Sequence, residues 1–334
     1  MKNNFKIFAV AIAAIMTLGC VTLVSCNKED ASTRPSNTSS SKGNSSIPHF
    51  STREEMQQAI DAAISFDTIT DLIAYEQEQG RSSIGATSDA FYESVNPEIF
   101  NNENEVLAFF EKHKDVLDTI MENDEVSIMP KWFYTPHRYV ANTDGMFSVG
   151  KLYYKLFKNG IVATDNNHLE ELSSLNEEEL DDLDTTIFFF IKGGESAKDH
   201  NGCQKKWYYS NKIQSGSDRV VLELTTSAIY YSGFGYVAET LIHTYSRHRW
   251  AGVWWICRHT LTCQGDVTWH RKTGTSSWDF GTKSVYKKKK CTSMWIYVNS
   301  EPCVWGIGTN YYHYYAYHLS ARTPGLAYAI LSHN

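Results

Sequence analysis

Hydrophobic residues in the first half of the chain recur at helical spacing. Met56, Ile60 and Ile64 lie four residues apart, and they follow two overlapping capping boxes, Ser51-x-x-Glu54 and Thr52-x-x-Glu55. This pattern predicts that a helix begins near residue 52. The same spacing predicts two further helices, at 69–79 and 104–121.

The spacing then changes to the two-residue alternation of β-strands. Strands are predicted at 146–149, 151–157, 161–164 and 185–192. Asn159-Gly160 is a hairpin signal, because both residues tolerate positive φ. An acidic, leucine-rich stretch at 169–183 is predicted to be helical. We therefore predict an α+β domain at 48–195.

The second half reads as a series of short strands separated by glycine-containing turns. Strands are predicted at 205–213, 219–231, 236–246, 253–258, 265–271, 292–299, 304–318 and 326–332. Strands of this length and spacing are typical of antiparallel sandwiches and barrels. We predict an all-β domain at 196–334, so that the fold class is α+β followed by all-β.

The N-terminus has the pattern of an export signal. Lys2 and Lys6 precede an apolar run of about a dozen residues, which is too short to span a bilayer. We predict a signal peptide at 1–25 and, because residues 31–46 are rich in Ser, Thr and Asn, a flexible tether at 26–47.

The sequence Leu23-Val24-Ser25-Cys26 resembles a bacterial lipobox, which implies lipidation of Cys26 and attachment to a membrane through the lipid. Lys28-Glu29-Asp30 resembles the export signal of surface lipoproteins in Bacteroidota-type bacteria. The segment Asn142–Tyr154 is similar to a hairpin segment of uncharacterised Bacteroidota lipoproteins. These resemblances imply an outer-membrane or cell-surface location, and they bring no known activity and no catalytic residues.

Overall composition is that of a globular protein, with 42% hydrophobic and 21% charged residues, which excludes a wholly disordered chain, a collagen and a coiled coil. The charge is divided unequally, however. Residues 27–200 hold 14 Lys/Arg and 32 Asp/Glu, whereas residues 201–334 hold 15 Lys/Arg and 6 Asp/Glu. The basic half either offers a surface to an acidic ligand or docks on the acidic half.

Aromatic and basic residues of the second half are the main candidates for ligand binding. The candidates are Trp254, Trp269, Trp278, Trp295, Lys287, Lys288, Lys289 and Lys290. Exposed indole rings can stack on sugars or anchor a protein partner, and a lysine run attracts polyanions. The alternatives are an aromatic core and a solvated hairpin end. Such surfaces also bind single-stranded nucleic acid, but an exported location argues against that ligand.

Five cysteines follow Cys26, all in the second half, where an oxidising compartment would permit disulfides. The preferred pairs are Cys291–Cys303 and Cys257–Cys263, since each could cross one hairpin, and the alternative is a set of buried free thiols. Cys257-x-His259-x-x-x-Cys263 does not have the ligand spacing of a standard zinc site. No metal and no cofactor is therefore expected.

No catalytic signature stands out in the sequence. Glu223 and Glu239 are the only acids inside well-defined strands of the second half, and they read equally well as paired or solvated strand residues. We therefore expect a lipid-anchored cell-envelope protein that binds a glycan or a protein without catalysis. The alternatives are a surface hydrolase that acts on polysaccharide or protein, and a structural subunit of an envelope complex.

Overall fold

The computed structural model describes residues 46–122, 125–158, 160–190, 207–233, 235–273, 277–303 and 311–333. The predicted signal peptide, Cys26 and all of the predicted tether before residue 46 lie outside these residues. Ser45–Asn334 forms one compact unit.

The helices lie in the N-terminal half of this unit. They are α1 (Arg53–Ser65), α2 (Ile69–Glu78), α3 (Ile84–Ser94), α4 (Glu103–Lys112) and α5 (Leu169–Ser174). Thr52, Thr68, Ser83 and Asn102 cap the first four helices by accepting a hydrogen bond from a backbone N–H three residues further on. These caps supply partners for backbone donors that have none within the helix.

The strands make up most of the rest of the described chain. They are β1 (His49–Phe50), β2 (Leu117–Glu122), β3 (Glu125–Pro130), β4 (Met146–Val149), β5 (Leu152–Phe157), β6 (Gly160–Asp165), β7 (Trp207–Ser215), β8 (Asp218–Tyr231), β9 (Gly235–Trp250), β10 (Val253–Cys257), β11 (His259–Thr273), β12 (Ser277–Cys291), β13 (Ser293–Cys303), β14 (Tyr311–Arg322) and β15 (Ala329–His333). The fold is mostly β.

Three sheets contain these strands. The small sheet has the order β1-β4-β5-β6, and the outer sheet has the order β12-β11-β14-β15. The central sheet has the order β2-β3-β10-β9-β8-β7, and β13 also pairs with β9. The central sheet joins the two halves of the sequence, because β3 and β10 pair in parallel, with Ser127 opposite Trp254. The predicted arrangement of an α+β domain followed by a separate all-β domain is not confirmed.

The central sheet buries both of its faces. Val220, Leu222 and Ile242 on one face pack against Leu261 and Leu319 of the outer sheet. The opposite face packs against the helices and the small sheet through two further clusters. The unit therefore has three layers, with the central sheet in the middle, and such burial is the main stabilising contribution.

Several predicted elements differ from the structure. The predicted helix at 104–121 ends at Lys112, and residues 117–122 form strand β2, because Leu117 is buried against β3 and the helical period stops there. Helix α3 and strand β12 were not predicted. The predicted strand at 185–192 begins instead with a turn, and its described part contributes only a bridge between Ala163 and Phe189.

Salt bridges connect the acidic and basic halves of the sequence. They join Arg219 to Glu125 at 2.7 Å, Arg258 to Glu93 at 3.1 Å, Arg247 to Glu122 at 3.5 Å and Lys212 to Glu122 at 3.7 Å. These salt bridges neutralise part of the unequal charge inside the unit, as expected if the two halves dock on each other.

Neither predicted disulfide is formed, because Cys257, Cys263 and Cys291 are free thiols. Cys257 ends β10 of the central sheet, whereas Cys263 lies on β11 of the outer sheet, so the hairpin that would have joined them does not exist. Cys291 and Cys303 are separated by strand β13, which at about 3.3 Å per residue carries Cys303 roughly 30 Å away from Cys291. Only the backbone position of Cys303 is described.

Candidate functional site

A cleft opens over one face of the central sheet. It is bounded by strand β2, the segment 131–137, the β5–β6 hairpin and strands β8 and β9, and it encloses about 870 Å³ including its open mouth. Most of the residues that line the cleft are apolar, and the others are polar. The polar lining residues are Asp118, Tyr134, Thr135, His137, Lys158, Thr225 and Ser227. Mostly apolar walls with a few polar groups are characteristic of small-ligand sites.

Trp132 forms an aromatic wall of the cleft in an unusual backbone conformation. Its φ is +48°, in the left-handed region that a bulky residue rarely adopts. The backbone N–H of Trp132 donates to Asp118 Oδ2 at 2.7 Å. A Cβ added at Gly145 would lie 2.5 Å from the indole, so glycine is needed for this ring to pack there. Backbone strain of this kind occurs often at binding and catalytic sites.

The hairpin of β8 and β9 forms the floor of the cleft. Its two strands are paired symmetrically about Gly233, so that Thr225 lies opposite Leu241 and Ser227 lies opposite Glu239. Thr225, Ser227 and Leu241 all line the cleft. The floor therefore offers two hydroxyl groups beside an apolar side chain.

His137 lines the cleft and lies close to a buried carboxylate. Its Nε2 lies 3.6 Å from Oε2 of Glu239, and its Nδ1 lies 3.1 Å from the hydroxyl of Thr135. Tyr231 donates to the other oxygen of Glu239 at 3.1 Å, and the guanidinium of Arg53 lies 4.0 Å from the same oxygen. Burial lowers the pKa of His137, and the nearby Glu239 opposes this shift. The imidazole is thus neutral near pH 7 and can accept a proton.

Glu223 forms a second buried pair with His243, outside the lining of the cleft. His243 Nδ1 lies 3.0 Å from Glu223 Oε2, and Tyr245 donates to Glu223 Oε1 at 2.9 Å. Arg247 donates to the same tyrosine oxygen at 2.6 Å. The His243 ring stacks on Trp295 with centroids 3.7 Å apart, and burial lowers the pKa of His243. This network fixes the side chains of β9 beneath the cleft.

Three of the tryptophans predicted to bind a ligand have described side chains, and these three do not form an exposed face. Trp254 and Trp295 are 0% and 3% exposed, and both belong to the interior. Trp269 is half-buried and packs against the core between the central and outer sheets. Only the backbone of Trp278 is described. Exposure was predicted because the second half holds more tryptophans than the core of one small sandwich could bury. Three sheets packed in layers have a larger interior and bury more aromatic side chains.

The predicted lysine run is divided by the alternation of strand β12. Lys287 donates to the backbone carbonyl of Trp295 at 3.3 Å. Lys289 donates to the carbonyl oxygens of Ile64, Ser65 and Phe66 at 3.1, 3.0 and 2.6 Å, at the end of helix α1. Lys288 and Lys290 are exposed on the other side of the strand. Two of the four lysines therefore bind the protein itself rather than a ligand.

Sequence reasoning named both glutamates of the two buried pairs but neither histidine. A signal for His243 was present, because a hairpin centred on Gly233 places it opposite Glu223. His137 and Trp132 lie in a segment without regular periodicity and had no such signal. Within the described residues, no three His, Cys, Asp or Glu side chains lie close enough to hold a metal ion.

Comparisons with known proteins give little further information. No family model matches the chain, and no curated protein is significantly similar to it. The chain aligns with the crystal structure of a DUF4848 family protein from Bacteroides thetaiotaomicron with 12% identity, 85% coverage of this chain, 96% coverage of that chain and a TM-score of 0.25. A likeness at this TM-score supports no inference about fold or function. No described helix is both long and apolar enough to cross a membrane.

Proposed function

We propose that the chain is a lipid-anchored binding protein of a bacterial cell envelope and that the cleft holds its ligand, a glycan or a segment of a protein. The main support is Trp132, whose strained backbone holds an aromatic ring at the wall of the cleft. An indole face beside the hydroxyls of Thr225 and Ser227 and the carboxylate of Asp118 suits a sugar ring, which has both apolar faces and hydroxyl groups.

Replacement of Trp132 by glycine tests this site. Glycine accepts a φ of +48°, so Trp132→Gly removes the ring without adding backbone strain. We expect the purified protein to bind members of a glycan and peptide array, and the variant to lose that binding. Tyr209→Ala is the matched control, because Tyr209 is a partly exposed aromatic residue elsewhere.

A urea unfolding curve for each variant confirms that it is folded. The proposal is refuted if the wild-type protein binds nothing on the array, or if Trp132→Gly binds as well as the wild type.

The lipid anchor rests on the sequence Leu23-Val24-Ser25-Cys26. Acyl chains contribute about 0.8 kcal/mol per buried methylene, so several chains hold a protein at a membrane durably. We expect cells grown with labelled palmitate to label the wild-type protein and not Cys26→Ser. A wild-type protein that incorporates no label would contradict the anchor without affecting the cleft.

A hydrolase is the second candidate, because His137 lines the cleft and lies beside the carboxylate of Glu239. A neutral imidazole can act as a general base, and the carboxylate 3.6 Å from its Nε2 would stabilise the imidazolium that forms. A screen with polysaccharides and proteins would then show turnover that His137→Gln and Glu239→Gln abolish. Array binding by wild type and both variants, without turnover, favours the binding protein.

A further inference from the structure

One face of the outer sheet carries exposed side chains. Lys288 and Lys290 point to this outer face, because residues 285, 287, 289 and 291 of β12 point inward. Register places Lys290 beside Thr260, and Lys288 beside Thr262, which is itself beside Arg322 on β14. Lys288, Lys290 and Arg322 are all exposed. Neighbouring strands lie about 4.8 Å apart and residues rise about 3.4 Å along a strand, so the backbone position of Lys288 lies roughly 7 Å from that of Lys290 and roughly 10 Å from that of Arg322.

The next row of the outer face is uncharged. Tyr286 lies beside Gln264, which lies beside Ser320, and Tyr286 is 72% exposed. The first carboxylate on this face is Asp266, one row further along β11. The face thus combines cations, hydroxyl and amide groups and one open aromatic ring.

The cations of the outer face differ from most of the described arginines of this half in having no acidic partner. Among the described residues, no carboxylate forms a salt bridge with Lys288, Lys290 or Arg322. The Arg322 guanidinium lies over the ring of Tyr328 at 4.8 Å. By contrast, Arg219 and Arg258 are paired with glutamates of the acidic half. In a chain with a net charge of −7, this face is a local positive patch.

We propose that this outer face binds an acidic polysaccharide, with carboxylate or sulfate groups, independently of the cleft. The cations attract the acidic groups, and the threonine, serine and glutamine side chains match the hydroxyl groups of the sugars. The open ring of Tyr286 provides a surface on which a sugar can stack. An exposed sheet face suits an extended polymer, which can contact several rows at once.

The test measures binding of fluorescent polygalacturonate and heparin, with neutral dextran as a control polymer. The variant Lys288→Ala/Lys290→Ala/Arg322→Ala removes the patch. The matched control, Lys112→Ala/Lys114→Ala/Lys151→Ala, removes three exposed lysines elsewhere and changes the net charge equally.

At low salt we expect the patch variant to lose at least about tenfold in affinity, which corresponds to 1.4 kcal/mol. The control variant and Trp132→Gly should bind within about twofold of the wild type. Binding should also weaken as salt is added, because the cations are exposed. Urea midpoints show whether both triple variants remain folded.

Three results would overturn the proposal. The control variant could lose as much affinity as the patch variant, which would indicate a general charge effect. Dextran could bind as tightly as the acidic polymers. Single-stranded DNA could bind as tightly as the acidic polysaccharides, which would indicate a surface for any polyanion. Loss of array binding by Trp132→Gly concerns the cleft alone and leaves this result unaffected.

Discussion

Lys289 and Lys288 are adjacent in sequence but are expected to have opposite effects when replaced. The Lys289 ammonium donates to the carbonyls of Ile64, Ser65 and Phe66, where helix α1 ends, and its side chain is only 11% exposed. These carbonyls have no partner within the helix, and they form the negative end of the helix dipole. Lys289→Met keeps most of the length of the side chain and removes the ammonium group.

The size of the effect follows from two opposing contributions. A hydrogen bond from a charged donor contributes about 1.5–3 kcal/mol, and a cation at a partly buried helix C-terminus up to about 2 kcal/mol. Burial lowers the pKa of Lys289, so dehydration of the ammonium opposes this gain, and the expected loss comes from the three carbonyls that lose their donor. We expect Lys289→Met to lower the free energy of unfolding by about 2 kcal/mol.

The assay is urea unfolding of the purified protein, with hydrogen exchange at the last amides of α1 as a local measurement. Lys288→Met is the matched control, and we expect its free energy of unfolding to change by less than about 0.5 kcal/mol, as for most exposed positions. Equal losses for the two variants would refute the assignment. In polysaccharide binding the order should reverse, with Lys288→Met weakened and Lys289→Met unchanged.

Three further predictions follow from the structure. In the urea assay, Gly265→Ala should destabilise the protein by more than about 3 kcal/mol, because φ is +137° and a Cβ would lie 1.9 Å from the carbonyl oxygen of His318. The control is Gly216→Ala, where φ is +59° and a Cβ would have no atom within 4 Å. This change should cost only about 1 kcal/mol. The pKa values of His137 and His243 are lowered in the folded state. Unfolded protein then binds more protons, so the free energy of unfolding should decrease as pH falls below about 6.5, and His137→Gln/His243→Gln should flatten this dependence. Burial of the thiols raises the pKa of Cys257 and of Cys263 to about 12 and that of Cys291 to about 11. Iodoacetamide at pH 7.5 should therefore modify these three thiols only after unfolding, as detected by mass spectrometry. Modification of any of them in the native protein would contradict this prediction.

Local signals in the sequence predicted the elements that local interactions determine. The capping boxes predicted the start of α1, and Asn159-Gly160 predicted the β5–β6 hairpin. Strand β12 could not be predicted in this way, because a run of four lysines resembles a solvated loop. Its strand conformation comes from pairing along its whole length with β11. Long-range pairing of this kind overrides local preference.

The candidate site was predicted only in part for a similar reason. Glu223 and His243 could have been joined by assuming a symmetric hairpin, since both residues lie on strands that were predicted. Glu239 and His137 are far apart in sequence, and their contact depends on the packing of segment 131–137 against the central sheet. Burial of Trp254 and Trp295 likewise depends on the layers above them. Composition gives the number of aromatic rings and not their exposure.

The parallel pairing of β3 with β10 has a consequence for the order in which the protein matures. A ribosome adds Ser127 long before Trp254, so β3 must wait for its neighbour while its edge stays open. The early part of the chain cannot complete its fold alone, and contacts this distant in sequence form slowly. In the exported protein that we propose, late completion of the central sheet would delay folding, which favours passage through a secretion channel.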